Sequence, residues 1–245
     1  MGRHSKRRRS GSAWTIFLIA VALLAAGIIL RRAGKPNDGG ETENGAEPAL
    51  QTAAVPETPA PTETPTPWNL VLVNRTHPVP ADWSVDPVQL ANGQVVDARI
   101  YEPLMELFEA ARSVNLDLPP NVESGYRSEE KQRELYEQKL AEYRQQGYSE
   151  KDAKALTEEW VCVPGTSEHQ LGIAVDISGA VYAIYPWLRD NAHQYGFILR
   201  YPENKTAITG VAAEEWHYRY VGIEAATQMH ERGLCLEEYV EQLRE

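Results

Sequence analysis

Apolar and polar positions divide this 245-residue chain into an N-terminal part without globular periodicity and a longer C-terminal part rich in it. An uncharged, mainly apolar run extends from Ala13 to Leu30. At ~1.5 Å per residue it would span about 27 Å as a helix, close to the ~30 Å hydrocarbon core of a bilayer. A buried core helix of that length would carry a polar stripe, and this run has none. Residues 34–67 contain seven Pro, many Thr, Glu and Ala, and no aromatic residue. Such a segment cannot bury enough apolar surface to offset its ordering entropy, so it reads as a disordered linker. At ~3.1 Å per residue its Pro-rich run would let it reach on the order of 100 Å when fully extended.

Beyond the linker the periods change. Residues 102–115 place Leu104, Leu107, Phe108 and Ala111 at helical spacing. Residues 129–146 predict a polar helix behind an N-cap at Ser128, with Glu129 and Glu130 in its first turn. Ser149 predicts the cap of a third helix ending near Trp160. Period-two stretches predict strands near Asn121–Ser124, Gly172–Ile177, Gly196–Tyr201 and His217–Val221. A helix over Gly222–Arg232, stopped by Gly233, and a short one over Leu236–Leu243 close the chain. Helices, then strands, then helices make an α+β domain rather than a regular βαβ alternation.

Charge sharpens this division into a basic tail at 1–12, an apolar segment at 13–30, a linker at 31–67 and one domain at 68–245. Arg3, Lys6, Arg7, Arg8 and Arg9 precede the apolar run, and Arg31, Arg32 and Lys35 follow it. That bias favours a cytoplasmic N-terminus and a single-pass signal anchor, with the remainder exported; a cleaved signal peptide is the alternative. The net charge of −11 conceals an asymmetry: residues 36–245 carry 16 basic and 35 acidic side chains, a net −19. A nucleic-acid binder would need a basic face, so that class is excluded.

Candidate chemistry concentrates in two of the predicted strands. Between Leu171 and Ile177, Ile173, Val175 and Ile177 alternate with Gly172, Ala174 and Asp176. Asp176 therefore points away from the apolar stripe, among small neighbours, and His169 lies in the polar turn feeding the strand. In the second segment Trp216, Tyr218 and Tyr220 share one face and His217, Arg219 and Val221 the other. Glu214 is three residues before His217 and would face the opposite side of a straight strand. A turn or bulge near Glu215 is therefore required to bring it round. Two imidazoles and one carboxylate, His169, His217 and Asp176, can hold a zinc ion with its fourth position open to water. Glu214 beside that water could take its proton. On pattern alone, structural His–Asp pairs remain an equal alternative, and Arg127 could be an ordinary residue at a strand end.

The two segments closely resemble the signatures of the VanY-type D-alanyl-D-alanine carboxypeptidases. Ser-x-His-x-x-Gly-x-Ala-x-Asp is met at Ser167, His169, Gly172, Ala174 and Asp176, and Glu-x-Trp-His at Glu214, Trp216 and His217. The resemblance includes Ser124-Gly125-Tyr126-Arg127-Ser128 with Gln132, and Ala192 to Tyr201, and spans roughly residues 90–240. Glu215 stands where many relatives carry Pro.

The resemblance implies a small antiparallel sheet flanked by helices. It implies that His169, Asp176 and His217 bind zinc, and that Glu214 is the general base and then the proton donor to the leaving amine. It assigns Arg127 to the polarised carbonyl or to a substrate carboxylate, and Gln132 and Ser167 to the substrate cleft. The implied substrate is a peptidoglycan stem peptide losing its C-terminal D-Ala outside the cytoplasm. An L,D-carboxypeptidase acting on tetrapeptide stems and a non-catalytic wall-binding module are the alternatives. Cys162 and Cys235 could form a disulfide in an exported domain, or be two separate buried thiols.

Overall fold

The computed structural model describes residues 66–244. The basic tail, the apolar run at 13–30 and nearly all of the linker lie outside the described residues. Among the described residues no helix is long and apolar enough to cross a membrane.

The domain is α+β, as its periodicities predict. A hairpin of β1 (Pro87–Gln89) and β2 (Val95–Asp97) leads into α1 (Ala98–Ala111). Next come β3 (Asn121–Ser124), α2 (Glu129–Gln145) and α3 (Glu150–Glu158). A 3-10 turn at Glu168–Leu171 feeds β4 (Ala174–Ser178). Then follow α4 (Ile184–Asn191), β5 (Phe197–Tyr201), a single turn α5 (Thr206–Thr209) and β6 (Glu214–Tyr220). α6 (Ile223–Arg232) and α7 (Leu236–Gln242) close the domain. Strands β3, β4, β6 and β5 form, in that spatial order, a sheet whose neighbours are all antiparallel.

The caps explain where the helices begin. Ser128 Oγ accepts from the Lys131 amide and Ser149 Oγ from the Asp152 amide, each satisfying an orphan donor of a first turn. Helix α1 begins four residues before the expected position. Fully buried Asp97 caps it, accepting from the Arg99 amide and from the amide of Asp86 in the preceding loop. Gly233, at φ 63°, ends α6 in the left-handed conformation that glycine adopts without a Cβ penalty. The β1–β2 hairpin and α5 have too few residues for a periodic signal.

Period-two alternation sorts the sheet into two faces. Val175 and Ile177 of β4, Phe197 and Leu199 of β5 and Tyr218 of β6 pack against Ile100, Leu104, Leu107 and Phe108 of α1 and against Ile184 and Leu188 of α4. Fully burying each such aliphatic or aromatic side chain stabilises the fold by roughly 1.5–3 kcal/mol. The intervening residues, including Asp176, Arg200, His217 and Arg219, therefore face the other side of the sheet. A second core there joins Ile198 and Val221 to Ala226 and Met229 of α6 and to Leu236, Tyr239 and Val240 of α7. Helices α2 and α3 pack together through Tyr136, Leu140, Tyr143 and Ala153.

Cys162 and Cys235 are free thiols, so the permitted disulfide is not formed. Cys235 instead stands at the N-cap of α7 as a buried residue, where its backbone amide donates to Glu238.

Gly172 ends the Glu168–Leu171 turn at φ 72° and lets β4 start at once. A Cβ there would lie 2.9 Å from Val85 Cγ1 and 3.2 Å from Asp97 Cβ. Gly172→Ala is expected to destabilise the domain by about 1–3 kcal/mol, read by urea unfolding, because strain and crowding act together; an unchanged midpoint would contradict this account.

Candidate metal centre

Pairing of β4 with β6 places Asp176 directly opposite His217. His169 reaches the same place from the 3-10 turn before β4. One ligand atom from each of His169, Asp176 and His217 can be chosen so that all three lie within 4.8 Å of one another. His169 Nε2 is 3.4 Å from Asp176 Oδ2, and His217 Nδ1 is 2.9 Å from Asp176 Oδ1. His169 Nδ1 is 2.8 Å from the Gly125 carbonyl oxygen. That acceptor fixes the proton on Nδ1 and leaves Nε2 as the donor atom. Gly125 itself has no room for a Cβ, which would strike the Val95 carbonyl. Two buried imidazoles and one half-buried carboxylate converge here and form a donor set that suits zinc and leaves one position open.

Glu214 joins this centre through the irregularity expected near Glu215. Leu199 pairs with Tyr218, but Tyr201 pairs with Glu214, so three residues of β6 stand opposite one of β5. The extra residues turn Glu214 inward. Its Oε2 lies 3.8 Å from His217 Nδ1, while Glu215 is exposed.

Arg127 lies on the other side of Asp176. Its Nη2 donates to Asp176 Oδ2 at 3.1 Å, its Nη1 to Gln132 Oε1 at 3.0 Å, and its Nε to Ser124 Oγ at 2.8 Å. A guanidinium has five N–H donors, so one hydrogen on each terminal nitrogen remains after these three bonds. Gln132 is 1% exposed and spends its amide NH2 on the Cys162 carbonyl, 2.8 Å away. It therefore stands behind Arg127 and orients it. Ser167, 2% exposed, precedes the 3-10 turn.

Electrostatics differentiate the four ionisable residues at the centre. Burial pushes the Glu214 carboxyl up to about 7; nearby His217 and Arg127 only partly counter this, and Asp176 adds to it. A carboxylate poised there suits a general base working near neutrality. Burial also opposes charge on Asp176, but His169 and His217 outweigh it and hold that carboxyl well below its ordinary range. Burial, reinforced by Arg127, lowers His169 to about 4, so its imidazole is neutral as a ligand must be. For His217, burial is outweighed by its hydrogen bond to Asp176 and by the nearby carboxylates of Glu168 and Glu214, and its pKa is raised to about 9.

Glu168 escaped the sequence reading. Its carboxylate is fully buried against Arg200 and Arg219, both also fully buried. Burial disfavours its charge, yet the two guanidiniums hold it well below the ordinary carboxylate range. The signal was available: Arg200 and Arg219 each interrupt an apolar strand run, and a buried arginine calls for a buried acid. The remaining histidines belong elsewhere. His193 stacks on His230 with ring centroids 3.9 Å apart, and His77 is exposed near the start of the domain.

A family model described as VanY, D-alanyl-D-alanine carboxypeptidase, matches residues 93–223. The chain belongs to the VanY family. A D-alanyl-D-alanine carboxypeptidase of Enterococcus faecalis (strain ATCC 700802 / V583) is 53% identical over 178 residues, covering 71% of this chain and 66% of that relative's length. A zinc-bound mutant of a VanY D,D-pentapeptidase from a VanB-type vancomycin resistance cassette is similar in structure. Its TM-score is 0.67 at 53% identity, covering 71% of this chain and 99% of the other. VanYB in complex with D-alanine-D-alanine gives a TM-score of 0.68 at 53% identity, covering 71% of this chain and 98% of the other. Zinc is the metal that the VanY donor set fits here.

In the metal-free protein Glu214 is expected to titrate near 7, followed by 13C NMR of labelled glutamate. The midpoint should fall when zinc binds, because a nearby cation favours the carboxylate. A metal-free midpoint in the ordinary glutamate range would contradict the burial argument.

Proposed function

We propose that this chain is an extracytoplasmic zinc D-alanyl-D-alanine carboxypeptidase that removes the terminal D-Ala from peptidoglycan stem peptides. The observation that carries the reading is the convergence of His169, Asp176, His217 and Glu214 in one buried centre, with Arg127 on the far side of Asp176. The zinc-bound relative and the relative holding D-alanine-D-alanine support the metal and the substrate class.

His169, Asp176 and His217 hold the metal. Zinc bound there supplies a Lewis acid that polarises the scissile carbonyl and makes water a competent nucleophile near neutral pH. Glu214, unprotonated above its raised pKa, takes a proton from the attacking water as the new C–O bond forms. It returns that proton to the amide nitrogen as the C–N bond breaks, so D-Ala leaves as a free amine and the shortened peptide as a carboxylic acid that releases its proton to solvent. Arg127 is always charged. Its two remaining N–H groups suit either the oxygen that gains negative charge or the terminal carboxylate of the substrate. Ser167 and Gln132 shape the cleft wall, Gln132 by holding Arg127 in place.

The basic tail and the apolar run at 13–30 support a membrane anchor, and the Pro-rich linker a spacer that lets the domain reach the wall. Full-length protein is expected to stay with membranes through alkaline carbonate washing; quantitative release would contradict the anchor.

Zinc-loaded full-length protein, incubated with pentapeptide and tetrapeptide muropeptides, is expected to shorten the pentapeptide by one D-Ala, read by mass spectrometry. Cleavage of the tetrapeptide alone would make it an L,D-carboxypeptidase. Cleavage of neither, with zinc bound, would overturn the reading. Glu214→Gln should retain zinc and lose roughly 10²–10⁴-fold in kcat.

A further inference from the structure

Glu168 is a fully buried carboxylate beside the candidate metal centre that the proposed mechanism does not use. Both arginine contacts converge on one of its oxygens: Arg200 Nε donates to Oε1 at 2.8 Å, and Arg219 Nη1 stands 3.0 Å from the same atom. The other oxygen, Oε2, is buried and has no hydrogen-bond partner among the described residues. His217 Nε2 is likewise buried and without a partner. These two atoms face one another at 3.7 Å. An acceptor-only carboxylate and an imidazole N–H answer each other's need, and leaving both unpaired would cost the desolvation of each.

The surrounding charges are already balanced without His217. Arg200 makes a two-pronged contact with Glu237 of α7, through Nη1 to Oε2 at 2.8 Å and Nη2 to Oε1 at 2.6 Å. Two arginines therefore meet two carboxylates, and the imidazole need not be protonated on both nitrogens to neutralise Glu168. Tyr201 restrains the ring plane, its centroid 4.9 Å from that of His217.

We propose that Glu168 is a positioning residue for His217. Its Oε2 accepts the Nε2–H of the imidazole, which fixes the tautomer whose free Nδ1 lone pair points to Asp176 and the metal. Arg200 and Arg219 hold the carboxylate in place, and Glu237 ties this support to the C-terminal helix. The arrangement rests on the assignment of His217 as a metal ligand. Partners of this kind typically change metal affinity by 10–100-fold.

The test is 15N-histidine NMR on the zinc-loaded full-length protein, with zinc affinity measured by chelator competition. The wild type should show His217 protonated on Nε2, with a slowly exchanging, downfield proton, and unprotonated on Nδ1. Glu168→Gln keeps an acceptor oxygen but loses the charge. It should move that proton upfield and weaken zinc binding about 10–100-fold while far-UV circular dichroism is unchanged. A folded Glu168→Gln protein with wild-type zinc affinity and an unmoved Nε2–H signal would overturn the proposal. Should the variant not fold, the wild-type spectrum decides: an Nδ1-protonated or rapidly exchanging His217 refutes the role. His217→Ala separates the two levels. If it binds zinc as tightly as wild type, the ligand assignment itself is wrong and the role of Glu168 falls with it.

Discussion

One cross-strand pair organises this domain: Asp176 of β4 opposite His217 of β6. Antiparallel partners stand only about 4.5–5.5 Å apart, close enough for two ligands to share one ion. A register slip of one residue would turn Asp176 into the α1 core and Val175 towards His169 and the candidate metal centre. The packing of Val175, Ile177 and Tyr218 against α1 therefore does more than stabilise the sheet. It determines which side chains meet on the opposite face, and the hydrophobic core becomes the reference against which the candidate metal ligands are aligned.

The opposite face of the sheet carries an unusual density of buried charge. Arg200, Arg219 and Glu168 are all fully enclosed, and each would be costly alone. Together they are nearly self-sufficient, because Arg219 also donates to the Asn69 and Val71 carbonyls and Arg200 to Glu237. The network joins the first described segment, two strands and the last helix around the centre. Apolar residues of similar volume would pack as well, but they would place no acceptor near the buried polar edge of His217. Burial serves opposite ends at two carboxylates. It raises Glu214, which few charges support, and fails to raise Asp176, which two imidazoles and Arg127 surround.

Much of this was legible in the chain itself. The predicted strand Asn121–Ser124 and the polar helix behind Ser128 lie where alternation and capping put them, because both signals are local. The bulge beside Glu215 followed from a conflict between the period of two and the need to bring Glu214 and His217 together. Other features were hidden for physical reasons. Helix α1 starts early because a loop amide from Asp86 and the Arg99 side chain stabilise Asp97 as its cap, and those contacts are tertiary. Glu168 carries no local signal in its polar turn, because its arginine partners lie 32 and 51 residues further along the chain. Gln132, which the resemblance assigns to the substrate cleft, also gives its amide to Arg127 and the Cys162 carbonyl, and spacing in the chain does not reveal those contacts.

The account stands or falls on the ligand set. Zinc K-edge X-ray absorption on the zinc-loaded full-length protein tests it most directly. Four nitrogen or oxygen neighbours at about 2.0–2.2 Å, with the multiple scattering of two imidazoles, are the predicted result. A sulfur neighbour at about 2.3 Å, or the signature of only one imidazole, would contradict it.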